Sequence, residues 1–359
     1  MQAVLFFHVK MAKRPNTVGI EIEPGAVHAA AVTVNGSIRI EAAAMVPLAT
    51  GVVRDGEVND TEGLTEALRA LYAANKGLDK HVRIGIANQK IVVRVIELPP
   101  IDDPKQLEAA VRFQAPEEIP MPLDSAVMDF QPLGIVETDN GPRQRVLIVA
   151  ARLDMIERVL QAVRAAGLRP EGIDLAAFAM VRALAEPGVT VPTLYLSIGG
   201  LTNLAVAVGT DCLFTRVVGG GVESIAVELA ERKGLTLEHA RGWLTHVGLG
   251  ESDDSALQGA EAEIAADARA VLTDGVRRIG GEVRNSLDFH HAQDAGDAPS
   301  VQRAVLTGAA AVVPGFADAL SVELGMPVTT GVVAGASGNV DLPLLTVAAG
   351  LAVEEAPGG

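Results

Sequence analysis

The chain carries one cysteine, Cys212, so no disulfide can close within it and a reducing compartment is its natural setting. Aromatic residues are scarce, at 3% with a single tryptophan, so the 49% apolar fraction must build its core from Ala, Val, Leu and Ile. Positive charge is also short: 29 Lys and Arg against 45 Asp and Glu give a formal net charge of −16. That balance argues against sequence-independent nucleic-acid binding, which needs clustered cations to release counterions, and against adhesion to anionic lipid. Long hydrophobic runs are missing. Met1–Lys10 is apolar but too short for a bilayer, and Lys13-Arg14 follows this run where a secretion signal would place basic residues before it. Residues 1–14 read as disordered or as an upstream start, and the protein reads as soluble.

What is present is a repeat. Thr17–Gly36 and Thr193–Thr210 each open with a short apolar strand bearing one polar residue, Glu21 or Ser197. In each, a tight glycine-containing turn follows, then an alternating small-apolar strand and a second turn, at Asn35-Gly36 or Gly209-Thr210. Asn-Gly is a strong hairpin signal because both central residues tolerate positive φ. An internal repeat of this kind predicts two similar lobes facing each other, and 359 residues suffice for two cores.

Between the repeats, Asp60–Asn75 predicts a helix with an Asp N-cap and Leu64, Leu68 and Leu71 on one face. Val82–Ala87 and Ile91–Leu98 read as strands, and Pro99-Pro100 as a boundary. The composition from Pro104 to Gly172 predicts a small inserted α+β unit: helix, proline-rich stretch, two strands, helix. The expected plan is a first lobe over 15–100, an inserted subdomain over 101–174 and a connecting helix over 175–190. A second lobe over 191–340, a C-terminal helix over 341–354 returning to the first lobe, and a disordered tail over 355–359 complete it.

Glycine turns at corresponding points of two lobes suit a ligand with phosphates, whose oxygens can approach bare backbone N–H groups. Gly199, Gly200, Leu201, Thr202 and Asn203 offer such donors plus a hydroxyl, and Thr307–Ala310 is a further small-residue turn. One turn alone is an ordinary hairpin; the pairing favours a site. The first turn fits poorly, because Glu23 places negative charge where phosphates would sit and Pro24 removes a donor. Glu21 could hold Mg²⁺ through water, or it is a strand-end acid facing solvent. Ser197 cannot serve as a general base as a carboxylate could, and no catalytic residue is assigned. His290-His291 reads as exposed helix-end histidines, since adjacent helical residues diverge and nothing completes a tetrahedral metal set. Cys212 reads as core.

The repeat, the insertion and several phrases together resemble the PilM family of type IV pilus assembly proteins, which is related to the division protein FtsA. The phrases are GVVRDGEVND (51–60), VRVIELP (93–99), APEEIPMPLD (115–124), MDFQPL (128–133), EVRNSLDF (282–289), LTGAA (306–310) and TVAAGLAV (346–353). The resemblance covers about Thr17 to Glu354. It implies an α/β, actin-like fold of duplicated ribonuclease-H-like lobes, with an inserted α+β subdomain in the first lobe. It also implies a cytoplasmic protein, peripheral to the inner membrane, that binds the N-terminal peptide of a PilN-like bitopic membrane protein between the first lobe and the insertion. The pilus assembly ATPase is a further implied partner.

For cofactors the resemblance implies ATP and Mg²⁺ between the lobes. The candidate contacts are Glu21 (also the metal ligand), Gly25, Ala26, His28, Gly199, Gly200, Leu201, Thr202, Asn203, Gly219, Gly220, Gly308, Ala309 and Ala310. The chain departs from the family where it matters for this cofactor. The family's first loop reads Asp-Ile-Gly-Ser-Ser-Ser-Val-Lys where this chain has EIEPGAVH (21–28). The second loop's leading Asp is Ser197, and the lysine near the adenine falls about Leu244. Weak or lost ATP binding with little hydrolysis is the expectation. The alternatives are an actin-superfamily kinase or ATPase, which needs intact loops and a carboxylate base, and an FtsA-like filament protein, which needs an amphipathic C-terminal helix.

Overall fold

The computed structural model describes residues 17–354 except 140, 187, 251–256 and 294–299. The expectations for residues 1–14 and for the tail 355–359, with the first two residues of the lobe expected over 15–100, lie outside the described residues.

The first lobe begins with a meander, β1 (Val18–Glu23), β2 (Ala26–Val34) and β3 (Ile38–Pro47), followed by a two-stranded arm, β4 (Val53–Arg54) and β5 (Glu57–Val58). Helix α1 (Thr61–Ala74) starts where Asp60 accepts the Gly63 N–H at 2.9 Å, and it buries Leu64, Leu68 and Leu71. β6 (His81–Ile86) then runs parallel to β1. The chain next leaves this sheet for β7 (Val92–Leu98), α2 (Pro104–Glu118), β8 (Ala126–Thr138) and β9 (Gly141–Arg152). It returns through α3 (Leu153–Ala165) to β10 (Arg169–Leu175), which pairs parallel with β6.

Helix α4 (Ala176–Leu184) crosses to the second lobe. Another meander follows, β11 (Thr193–Ile198), β12 (Thr202–Val208) and β13 (Asp211–Val218). Helices α5 (Val222–Lys233), α6 (Leu237–Val247) and α7 (Ala260–Gln293) lead to β14 (Ala304–Thr307) beside β11. Then come α8 (Phe316–Leu324), β15 (Val328–Thr330) and finally α9 (Thr346–Leu351).

Among the described residues, the two five-stranded sheets have the orders β3-β2-β1-β6-β10 and β13-β12-β11-β14-β15. These are one topology used twice: three antiparallel strands, then two parallel ones. Parallel neighbours need crossovers, and helices supply them. The fold is therefore the actin-like pair of α/β lobes. Between the sheets lie α4 and α9, whose Ala179, Met180, Val347 and Leu351 share one buried cluster with Tyr195 and Ala205 of the second lobe. The approach is close because of small residues: a Cβ on Gly350 would overlap the Ala179 carbonyl, and one on Gly19 the Ala348 carbonyl.

The hydrogen-bonded boundaries of the insertion differ from the expected 101–174. β7 pairs with β9 in a separate three-stranded sheet, β7-β9-β8, so it belongs to the insertion and not to the first lobe. α3 and β10 belong to the first lobe: Val159, Ala162 and Val163 sit in the same core as Leu64 and Val82. β7 is β-branched like any buried strand, so its pattern does not say which sheet it joins. Residues 169–175 hid their strand because Pro170 and Gly172 read as breakers, and a register shift between them absorbs both.

Candidate functional site

The ends of β1 and β11 meet, and each brings one polar pair. Glu21 is the register partner of His28 across β1 and β2, and Ser197 is the partner of Asn203 across β11 and β12. All four are buried, so Glu21 is no solvent-facing acid. Glu21, Ser197 and Asn203 border, with Glu23 and Pro24, a chamber of about 10 Å³ of free space, room for about one water.

The electrostatics follow from burial. Glu21 is raised well above the usual carboxylate range, by desolvation first and by the neighbouring Glu23 second. Glu23 is pushed up to about 7, chiefly by desolvation; the Gly200 N–H bonded to it works the other way, and Glu223 adds to the rise. His28 is lowered to about 4 by burial and is neutral at pH 7. Its Nδ1 stands 3.8 Å from Glu21 Oε2, too long for a hydrogen bond, and has no partner among the described residues. Neither amide atom of Asn203 has one either.

The second-lobe turn's donors at Gly199, Gly200 and the Thr202 hydroxyl are already taken by groups of the chain itself. Gly199 N–H donates to Leu201 O at 3.0 Å, Gly200 N–H to the Glu23 carboxylate, and Thr202 Oγ1 to Gly220 O at 2.9 Å. The Glu23 carboxylate lies directly on Gly199, where a Cβ would stand 2.7 Å from Oε1, and the Pro24 ring lies on Gly200 at 2.6 Å by the same measure. Gly25, at φ +100°, fits under the Arg241 guanidinium, where a Cβ would meet Nη2 at 2.7 Å. Arg241 in turn holds Glu223, Nε to Oε2 at 2.8 Å, with a second contact from Nη2 to Oε1.

Of the candidate contacts, Glu21, Gly25, Ala26, His28 and Gly199–Asn203 therefore converge where the two hairpins meet. Gly220 joins them through Thr202, while Gly219 is exposed beside Gln89. Gly308, at φ +78°, packs on the Ile198 backbone and Ser197 Oγ, each 3.1 Å from where its Cβ would be. Its N–H and the Thr307 hydroxyl both donate to Pro343 O, at 3.1 and 2.9 Å. Ala309 is half-buried, and Ala310 is fully buried in the second-lobe core. Leu244 is fully buried in that same core and is not in the cleft. ATP and Mg²⁺ do not fit this arrangement, because a carboxylate and a proline ring take up the surface that phosphates would touch.

Outside the cleft, one reading changes and one holds. His290 is not an exposed histidine: it is 3% exposed and stacks on Phe214 with ring centroids 5.0 Å apart. The Cys212 thiol, pushed up to about 12 by burial, donates to Phe214 O at 3.4 Å. Glu223 and Arg241, which brace the first turn from outside, carry no sequence signal; only the fold brings them to Gly25.

A sequence model of the family described as type IV pilus assembly protein PilM matches residues 19–337. Among solved structures, a chain of a PilM–PilN type IV pilus biogenesis complex is similar at 26% identity and TM-score 0.75, covering 94% of this chain and 97% of that one. The ethanolamine utilization protein EutJ from Carboxydothermus hydrogenoformans is similar at 18% identity and TM-score 0.53, over 94% of this chain and 89% of its own. Diol dehydratase-reactivating factor, in nucleotide-free form, is similar at 11% identity and TM-score 0.50, over 93% and 98%. The last two share the fold alone. Among the described residues no helix is long and apolar enough to cross a membrane, and no group of three or more His, Cys, Asp or Glu could hold a metal ion. The chain belongs to the type IV pilus assembly protein PilM family.

Proposed function

We propose that the protein is a docking scaffold of the type IV pilus inner-membrane platform, which binds the short cytoplasmic N-terminal peptide of a PilN-like, single-span membrane protein. One observation carries this reading: the likeness to a chain of a PilM–PilN complex extends over 94% of this chain and 97% of that one. We assign the peptide to the groove between the first lobe and the inserted sheet. There the buried cluster of Ile86, Val149, Met155 and Ile156 joins the two, and we take the half-buried Ile91, Val93, Val127 and Phe178 packed against it as the groove's rim. An apolar rim of this kind gives an amphipathic or extended peptide pockets for successive side chains. The protein then reaches the membrane through its partner. On this reading the nucleotide cleft is degenerate and ATP turnover stays at background, since the turn donors are already bonded.

Calorimetric titration of the partner's N-terminal peptide tests the reading. The unmodified chain is expected to bind, Val93→Asp to bind at least about tenfold more weakly, as a charge set in an apolar contact would, and Mg-ATP to leave both titrations unchanged. No binding by the unmodified chain overturns the docking role, and equal binding by Val93→Asp overturns the assignment to this groove.

A further inference from the structure

The family cofactor does not fit, and the manner of the misfit is specific. Glu23 does more than repel a phosphate. Its carboxyl group lies against Gly199 and accepts the Gly200 N–H, which is the contact a glycine turn would give a phosphate oxygen. Pro24 covers Gly200 beside it. On the far side, Arg241 of α6 touches Gly25 and is held by Glu223 of α5, whose own N–H reaches Gly199 O at 3.3 Å. The Glu23–Gly25 turn of the first lobe is thus gripped between two pieces of the second.

We propose that this turn is a built-in occupant of the phosphate seat, a tethered carboxyl group that latches the two lobes together in place of a nucleotide. The inference rests on the degenerate-cleft reading and adds a cause and a consequence to it. A group on the same chain meets its seat at a high effective concentration, on the order of millimolar or above, and loses little freedom on docking. A free polyphosphate must displace it and also move the Pro24 ring. The lobes therefore hold one relative placement whether or not ATP is present, and partner docking is uncoupled from nucleotide.

The test is hydrogen exchange on the full chain with magnesium pyrophosphate as the probe. Replacing Glu23→Gly and Pro24→Gly together is expected to speed exchange about tenfold in residues 21–28 and 197–203, the scale of one lost hydrogen bond to a charged group. Exchange in α7, which packs behind α5 and α6 and does not itself border the seat, is expected to hold. Pyrophosphate is expected to restore protection in this double variant and to leave the unmodified chain unchanged. Glu23→Gln keeps an acceptor of the same length and is expected to keep the latch. The proposal is overturned by a double variant with unchanged hairpins, by loosening that spreads equally into α7, by a Gln variant as loose as the double one, or by pyrophosphate protecting the unmodified chain. The first of these, with the unmodified chain still indifferent to pyrophosphate, removes the latch and leaves the degenerate cleft standing. The last removes both.

Discussion

Raising the pH should weaken this protein through Glu23. In the folded chain its carboxyl is pushed up to about 7 against an ordinary value of 4.5. A group whose folded pKa is raised binds its proton more tightly when folded, so its contribution is full below about 4.5 and is lost as pH rises through about 7. The separation corresponds to about 3 kcal/mol at about 1.4 kcal/mol per unit. The groups around it agree with the sign. Glu21 rises in the same sense and Glu223 adds repulsion, His28 is neutral throughout this range, and Arg241 is already committed to Glu223. Urea unfolding of the unmodified chain and of Glu23→Gln at pH 5, 6, 7 and 8 reads the effect. The unmodified chain is expected to lose between about 2 and 3 kcal/mol more than the variant between the ends of that series, since part of the contribution is already lost at pH 5, and the variant to be the more stable of the two at pH 8. Parallel curves would refute the reasoning, because they would mean that Glu23 ionises as freely in the folded chain as in the unfolded one.

Two further outcomes come from packing. Gly350→Ala places a methyl group on the Ala179 carbonyl and must push α9 from α4, so a loss on the order of 3 kcal/mol is expected in urea unfolding, and a loss below about 0.5 would contradict the close approach. Asn203→Leu removes an amide that has no hydrogen-bond partner among the described residues and keeps its heavy-atom count and branch point, so stability is expected to stay level or rise by about 1 kcal/mol. A loss of more than about 2 kcal/mol in the same assay would show that the amide is engaged.

Much of this fold was legible because its signals are local. The Asp60 cap with Leu64, Leu68 and Leu71 predicts α1, and the paired hairpins predict two lobes; both are found. Sheet membership was not legible. β7 and β6 have the same β-branched composition, yet they belong to different sheets, because pairing is decided by contacts far away in sequence. The candidate site divides in the same way. Glu21, Gly199 and Asn203 could be named from the repeat, since register across a hairpin is a local property, whereas His28 was named only through the family resemblance. That Glu23 would reach Gly200, or that Arg241 and Glu223 would close over Gly25, depends on how the lobes dock. His290 misled for a related reason: a helix end reads as exposed until β13 supplies Phe214 to cover it.

The glycines at 199 and 200 take on a different meaning once their neighbours are known. In sequence they read as bare backbone kept open for a ligand's phosphates. In the structure each is required by a side chain of the other lobe: Gly199 admits the Glu23 carboxylate, and Gly200 admits the Pro24 ring. A side chain at Gly200 would strike the Pro24 ring well inside van der Waals contact, and one at Gly199 would push the Glu23 carboxylate off its seat, whether or not a nucleotide ever entered. Glycine in the second turn is therefore no sign of retained ATP binding in this chain. The residues that do discriminate lie opposite, at Glu23 and Pro24, because a phosphate-binding turn has no use for a carboxylate or for a residue without an N–H. The same logic extends to Gly25. Its positive φ and its contact with Arg241 serve the fit of one lobe on the other, so each of the three glycines where the hairpins meet is explained by the meeting itself.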